Sequence, residues 1–320
     1  MAGMIKFKIL EKTPSCARDK THHYCDYIEL ITLCDGDDGL SNSDIYDRFL
    51  EDDEVQGIGS EDGAESNEKW VAEIDTWFSE LAARISAYGE GYPFEFRENR
   101  FLLKGNLNDH HFIYLGLLLC SSLRYIEKSS VFSSAFEYAS LCAMKEYLPK
   151  LAEVHIFGVS SGNEGRYTGS LENKIRKLSE DTNYPVSSRP NTFRSRDNGD
   201  GGVDIVAWLP FDEDSNLDKK LLFIGQSAST MDWPSKQHSV DRLHTYLEID
   251  TTSLTILYVP YDMRDCERNI QERTSVTTDI LFDRHRMLKL LKPELLFSGE
   301  LGVAFKQLIE SAVEFEEGIL

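Results

Sequence analysis

The spacing of apolar positions changes along the chain, and each change marks an element. From Glu68 onward, Trp70, Val71, Ile74, Trp77, Phe78, Leu81 and Ile85 recur every three or four residues, forming one apolar face of an amphipathic helix that Gly89 and Gly91 end. Arg100 to Lys104 reads as a short strand. Asn108 caps a second helix, whose all-round apolar run from Phe112 to Leu123 predicts burial, and Ser133 to Leu148 forms a third. Ahead of these, residues 4 to 10 and Asp26 to Leu33 are β-prone runs and read as strands. Residues 1–150 are therefore expected to form a mostly helical module.

From Val154 the pattern alternates between strand and helix. Val154 to Gly158 is a strand into a turn, and a helix spans about Ser170 to Glu180. Strand-like runs follow at Gly202 to Leu209, Lys220 to Gly225 and Leu254 to Val259. One helix begins near Pro234, and another covers about Asp283 to Leu291. This order predicts an α/β layer fold over residues 151–320. The runs on either side of Ser215 read as a hairpin. Symmetric pairing sets Trp208 opposite Leu222, Val206 opposite Ile224, and Asp204 opposite Gln226. A hairpin apolar on both faces would then end in one polar pair.

Composition narrows the setting. Among 320 residues, the longest apolar stretch, Phe112 to Cys120, is far short of the roughly 20 residues that cross a bilayer. The N-terminus lacks the apolar core of a secretory signal, and the six cysteines include no Cys-x-x-Cys pair, so a cytoplasmic protein with free thiols and no membrane association is expected. The net charge is −21, and it is uneven. Asp35 to Glu80 holds sixteen acidic residues against Arg48 and Lys69, whereas Glu164 to Asp200 holds seven basic residues against six acidic ones. Asp52 to Ser66 reads as an acidic loop, either a solubilising insert or a docking segment for a basic partner. Neutralising phosphates requires Lys and Arg, so only the second region suits nucleic acid.

The Asp204–Gln226 pair carries the candidate chemistry. An aspartate beside a second oxygen ligand suits a hard divalent cation, and Mg²⁺ commonly takes one or two protein ligands plus waters and substrate phosphates. Glu172, early on the preceding helix, is the candidate for a further acid. Lys236, placed by Pro234 in a helix first turn, is the candidate cation to orient a nucleophile or stabilise charge. Arg189, Arg194 and Arg196 precede the Asp204 strand and are candidate phosphate contacts. Other signals read as structure: His155 as a core histidine, Ser170 as a helix cap, and Asp283 as the cap of a helix whose Arg284, His285 and Arg286 face solvent.

A helix with Glu172, then Gly201-Gly202-Val203-Asp204, then an apolar strand ending in Gln226, then another helix, resembles the PD-(D/E)XK nuclease superfamily. The likeness is to its restriction-endonuclease-like members with Gln in place of the second acid. The stretch Phe157-Gly158 through Asp204-Ile205-Val206-Ala207-Trp208 to Gly225-Gln226-Ser227-Ala228 and Asp232-Trp233 also resembles bacterial proteins associated with phage-defence loci. The resemblance covers about residues 150–265. It implies a restriction-endonuclease-like mixed sheet flanked by helices. It also implies an Mg²⁺- or Mn²⁺-dependent (endo)deoxyribonuclease with Asp204, Gln226 and Glu172 on the metal, DNA as the expected nucleic acid, and a partner from the same locus or a second copy of the chain. One position departs: the family's lysine stands two residues after the second acid, where this chain has Ala228, and Lys220 lies six strand residues from Gln226 at about 3.3 Å each. Lys236 would have to replace it. The rival expectation is an inactive nuclease-fold module that binds DNA or a protein as an adaptor.

Overall fold

A computed structural model of the chain describes residues 5–17, 20–35, 38–52, 61–127, 129–158, 165–189, 192–193, 199, 201–210 and 220–315, with the backbone alone at 61–66. The chain divides into two compact units. The first comprises Met1–Phe132, Tyr261–Glu272 and Phe297–Leu320; the second comprises Ser133–Pro260 and Arg273–Leu296. The division differs from a single boundary near residue 150. The third predicted helix, Ser133 to Leu148, belongs with the sheet, and two later segments return to the helical unit.

In the first unit α1 (Thr21–Cys34) replaces the strand expected over Asp26 to Leu33, and all fourteen of its residues are buried. A helix enclosed on every side shows no amphipathic period, so its sequence reads like that of a buried strand. The expected strand over residues 4–10 reduces to one bridge, Phe7 to Ile126. Next come α2 (Asn42–Glu51), opened by a Ser41–Asp44 capping box, and α3 (Glu61–Tyr88), which buries Trp70, Ile74, Trp77, Phe78 and Leu81 but leaves Val71 exposed. The helix begins at Glu61, inside the stretch expected to be an acidic loop. Residues 53–60 of that stretch lie outside the described residues. A hairpin of β1 (Phe94–Arg97) and β2 (Arg100–Leu103) leads to α4 (Asp109–Ser121), which Asn108 caps as its sequence predicts, with His111 capping back in return. The terminal helix α11 (Gly299–Val313) packs on α4 and α1.

The second unit is a five-stranded mixed sheet flanked by helices. After α5 (Ser130–Tyr147), which starts at the division between the units, come β3 (Glu153–Ile156), α6 (Leu171–Thr182), β4 (Ile205–Leu209) and β5 (Leu221–Ser227). The short helices α7 (Trp233–Lys236) and α8 (Leu243–Tyr246) precede β6 (Leu254–Tyr258). Then follow β7 (Ile280–Phe282), α9 (Arg284–Leu290) and α10 (Pro293–Leu296). The sheet order is β3-β4-β5-β6-β7; β3, β4 and β5 are antiparallel neighbours, and β6 and β7 continue parallel to β5. The β4–β5 register is the one read from sequence, with Trp208 opposite Leu222 and Val206 opposite Ile224. One face of this hairpin, with Val206, Trp208, Leu222 and Ile224, packs on Leu171, Ile175 and Leu178 of α6. Asp283 caps α9 as expected, but Arg284 is buried rather than solvated, because its Nε donates to the Pro260 carbonyl at 2.8 Å.

Candidate active site

Two glycines bring the chain to Asp204. Gly201 and Gly202 have φ of 65° and 87°, and a Cβ on Gly202 would lie 2.7 Å from the Ser239 carbonyl oxygen, so only glycine fits this turn. Val203 anchors the turn in the core, and Asp204 follows just ahead of β4. Its backbone is held from both sides. Its N–H donates to the Gly225 carbonyl at 3.0 Å, and its carbonyl accepts from Phe157 and Gly158 N–H groups at 2.7 and 3.0 Å.

The side chain is held as firmly. Asp204 Oδ2 accepts from the Ser227 N–H at 2.7 Å and from Gln226 Nε2 at 2.6 Å, and the aspartate is only 4% exposed. Gln226 thus turns its donor to Asp204. Its Oε1 is buried with no hydrogen-bond partner, and the Ser227 hydroxyl is in the same condition. Buried acceptors are rarely left this way without a ligand or water, because the desolvation cost of each is about 1–3 kcal/mol.

A second carboxylate comes from an unexpected helix. A Cβ on Gly158 would lie 3.2 Å from Glu137 Oε2 and 3.4 Å from Asp204 Oδ1, so the two side chains share the space that the glycine leaves open. Glu137 lies on α5, which the sequence pattern assigns to the N-terminal helical module rather than to the sheet. Glu172, the acid expected there, is instead on the outer surface of α6, paired with Arg176 one turn along at 2.7 Å. It complements the helix start and its own i+4 neighbour.

Two lysines differ in their placement. Lys236 is exposed at the end of the four-residue helix α7, and no described contact joins it to Asp204, Gln226 or Glu137. Lys174, on the buried face of α6, is only 4% exposed, and its Nζ donates to the Phe157 and Gly158 carbonyls at 2.9 and 3.2 Å. Those are the two residues whose N–H groups hold the Asp204 carbonyl. Arg189 is exposed on the loop after α6, while Arg194 and Arg196 lie outside the described residues.

Asp204 Oδ1 and Glu137 Oε2 thus both border the space at Gly158, and Gln226, which holds the other Asp204 oxygen, keeps a buried Oε1 with no hydrogen-bond partner. Among the described residues no group of three or more His, Cys, Asp or Glu side chains is arranged to hold a metal ion, so any such site rests on two carboxylates and an amide. No described helix is long and apolar enough to cross a membrane. No protein family, no curated protein and no solved structure matches the chain.

Proposed function

We propose that the chain is a metal-dependent nuclease that hydrolyses phosphodiester bonds, with DNA as the expected substrate, and that it acts within a bacterial anti-phage system. The convergence of Asp204 and Glu137 on the open space at Gly158, with an unpartnered Oε1 on the Gln226 side chain that holds Asp204, is the observation that carries the reading. Two carboxylates and a neutral oxygen fit Mg²⁺ or Mn²⁺, which keeps its remaining positions for water and phosphate oxygens. Such an ion, when bound, supplies an activated water and charge stabilisation at the phosphoryl group.

The protein's own residues prepare the geometry. The Ser227 N–H and Gln226 Nε2 fix the Asp204 carboxylate through Oδ2, leaving Oδ1 toward Glu137. Lys174 places a positive charge behind the Phe157–Gly158 turn, where it offsets the paired carboxylates and favours an approaching phosphate. In this reading Lys174 on α6 serves as the site's lysine, because Ala228 stands where the nucleases that the sequence resembles carry theirs. The defence role rests on the sequence resemblance to proteins of phage-defence loci.

The rival reading is an inactive nuclease-fold adaptor, favoured by Ala228 and by the lack of a third acid in the cluster. Incubation of the purified chain with plasmid, linear and single-stranded DNA and with RNA, in Mg²⁺ or Mn²⁺, separates the two. Cleavage that Asp204→Ala abolishes supports the nuclease. Cleavage unaffected by Asp204→Ala contradicts this site, and binding without cleavage by the wild type supports the adaptor.

A further inference from the structure

Two buried acceptors in the helical unit lie close together with no hydrogen between them. His22 and His23 sit near the start of α1, and Gln271 and Glu272 end the segment Tyr261–Glu272, which belongs to the same unit. Gln271 fixes the tautomer of His22. Its Nε2 donates to Thr21 Oγ1 at 2.6 Å and to Glu80 Oε1 at 3.1 Å, so its Oε1, 3.2 Å from His22 Nδ1, is the acceptor and Nδ1 carries the hydrogen. The lone pair of the neutral ring is therefore on Nε2. That nitrogen lies 3.8 Å from Glu272 Oε1, and both atoms are buried with no hydrogen-bond partner among the described residues. The other Glu272 oxygen accepts from Lys20 Nζ at 3.3 Å.

A single proton satisfies both atoms, because it turns Nε2 into a donor and sets an imidazolium against a carboxylate. The charged and titratable groups around His22 are Lys20, His23, Cys25, Asp26 and Glu29 on or beside α1, Glu80 and Arg84 on α3, and Tyr261, Asp262, Arg268 and Glu272 in the returning segment. Arg84 engages Asp26, Glu29 and Asp262, and Thr21 and Gln271 engage Glu80, so Glu272 Oε1 is the carboxylate oxygen left to His22. Burial holds the His22 pKa below the usual 6.5, while Asp26, Gln271 and Glu272 draw it back up. The ring is then neutral near pH 7 and takes its proton in acid. His23 does not compete for it. Burial pushes its pKa well down, and its ring centroid is 4.1 Å from that of His22, so a second proton would set two cations together.

We propose that His22 Nε2 and Glu272 Oε1 form a proton-binding site that takes up one proton in acid and thereby joins the end of the Tyr261–Glu272 segment to α1. Solvent supplies the proton, the Nε2 lone pair forms the new N–H bond, and the Nδ1 hydrogen stays with Gln271. The helical unit so gains a pH-sensitive contact wholly within itself, and this contact does not depend on the nuclease reading.

Nitrogen-15 NMR of the histidine rings in the full-length chain, titrated from about pH 8 to about pH 5, tests the site without any substrate. Through-bond correlation to the His22 backbone assigns the ring, so the wild-type titration needs no variant. The neutral ring should carry its hydrogen on Nδ1, with Nε2 bare, and a single proton should then enter at Nε2 with a midpoint below 6.5 while His23 stays neutral. Glu272→Gln keeps the shape and removes the charge, and it should lower the proton affinity of His22 about tenfold. A neutral His22 with its hydrogen on Nε2 would overturn the proposal, and so would a ring that stays neutral throughout. Protonation of His23 ahead of His22, or a His22 midpoint that Glu272→Gln leaves in place, would overturn it as well.

Discussion

Gln226 Nε2 donates to Asp204 Oδ2 at 2.6 Å, across the open end of the β4–β5 hairpin. The amide does what a carboxylate could not, because two acids at this separation would repel unless a cation lay between them. Gln226→Glu should therefore destabilise the metal-free protein by about 1–3 kcal/mol, the cost of a lost buried hydrogen bond. Added Mg²⁺ should restore much of that loss. Thermal melts with EDTA and with Mg²⁺ check this, since a melting temperature indifferent to Mg²⁺ in the variant would speak against a cation at this pair.

Lys174 and Lys236 should separate cleanly. Lys174→Met leaves the Phe157 and Gly158 carbonyls without their buried donor, and a cost of about 1–3 kcal/mol is expected, together with loss of cleavage. Lys236→Met removes an exposed charge and should leave both stability and cleavage unchanged. Urea unfolding and a cleavage assay on the pair decide which lysine serves the site.

Gly158→Ala tests the space between the carboxylates directly. The new methyl would sit 3.2 Å from Glu137 Oε2 and 3.4 Å from Asp204 Oδ1, tight but tolerable for the fold. Divalent-cation binding and cleavage should fall about tenfold, roughly 1.4 kcal/mol, with little change in melting temperature. Equal losses of stability and activity would point to a packing defect instead.

Acid should reveal the Arg166–Asp181 pair under the sheet. Burial pushes the Asp181 carboxyl up, but the hydrogen bonds from Arg166 and Tyr167 more than offset it, and its pKa lies below the usual 3.8. A depressed folded-state pKa contributes stability that is present above about pH 4 and lost as pH falls further. Asp181→Asn should lower the melting temperature at pH 7 and flatten its decline between about pH 4 and pH 2; an unchanged acid profile would contradict the pairing.

The sequence was most readable where local chemistry decides structure. The β4–β5 register followed from turn residues and antiparallel symmetry, and the Asn108 cap from its own side chain. Long-range placement was less readable. Nothing local in α5 shows that Glu137 reaches the end of a strand some seventy residues later in the chain, and α1 hides its helical period because every face is buried. One signal was available: Lys174 falls on the apolar face of α6 with Leu171, Ile175 and Leu178, a place that requires a lysine to find buried partners. Glu172 and Lys236 are the acid and the lysine that the order of elements along the chain singles out, and that order does not specify which side of a helix faces the sheet.

Mn²⁺ titration followed by electron paramagnetic resonance tests the central claim most directly, because it reads the cation site without requiring a substrate. The wild-type chain should bind Mn²⁺. Asp204→Asn and Glu137→Gln should each weaken that binding about tenfold or more, and Glu172→Gln should leave it unchanged. Binding that survives Asp204→Asn and Glu137→Gln, or that is lost in Glu172→Gln alone, would contradict the account.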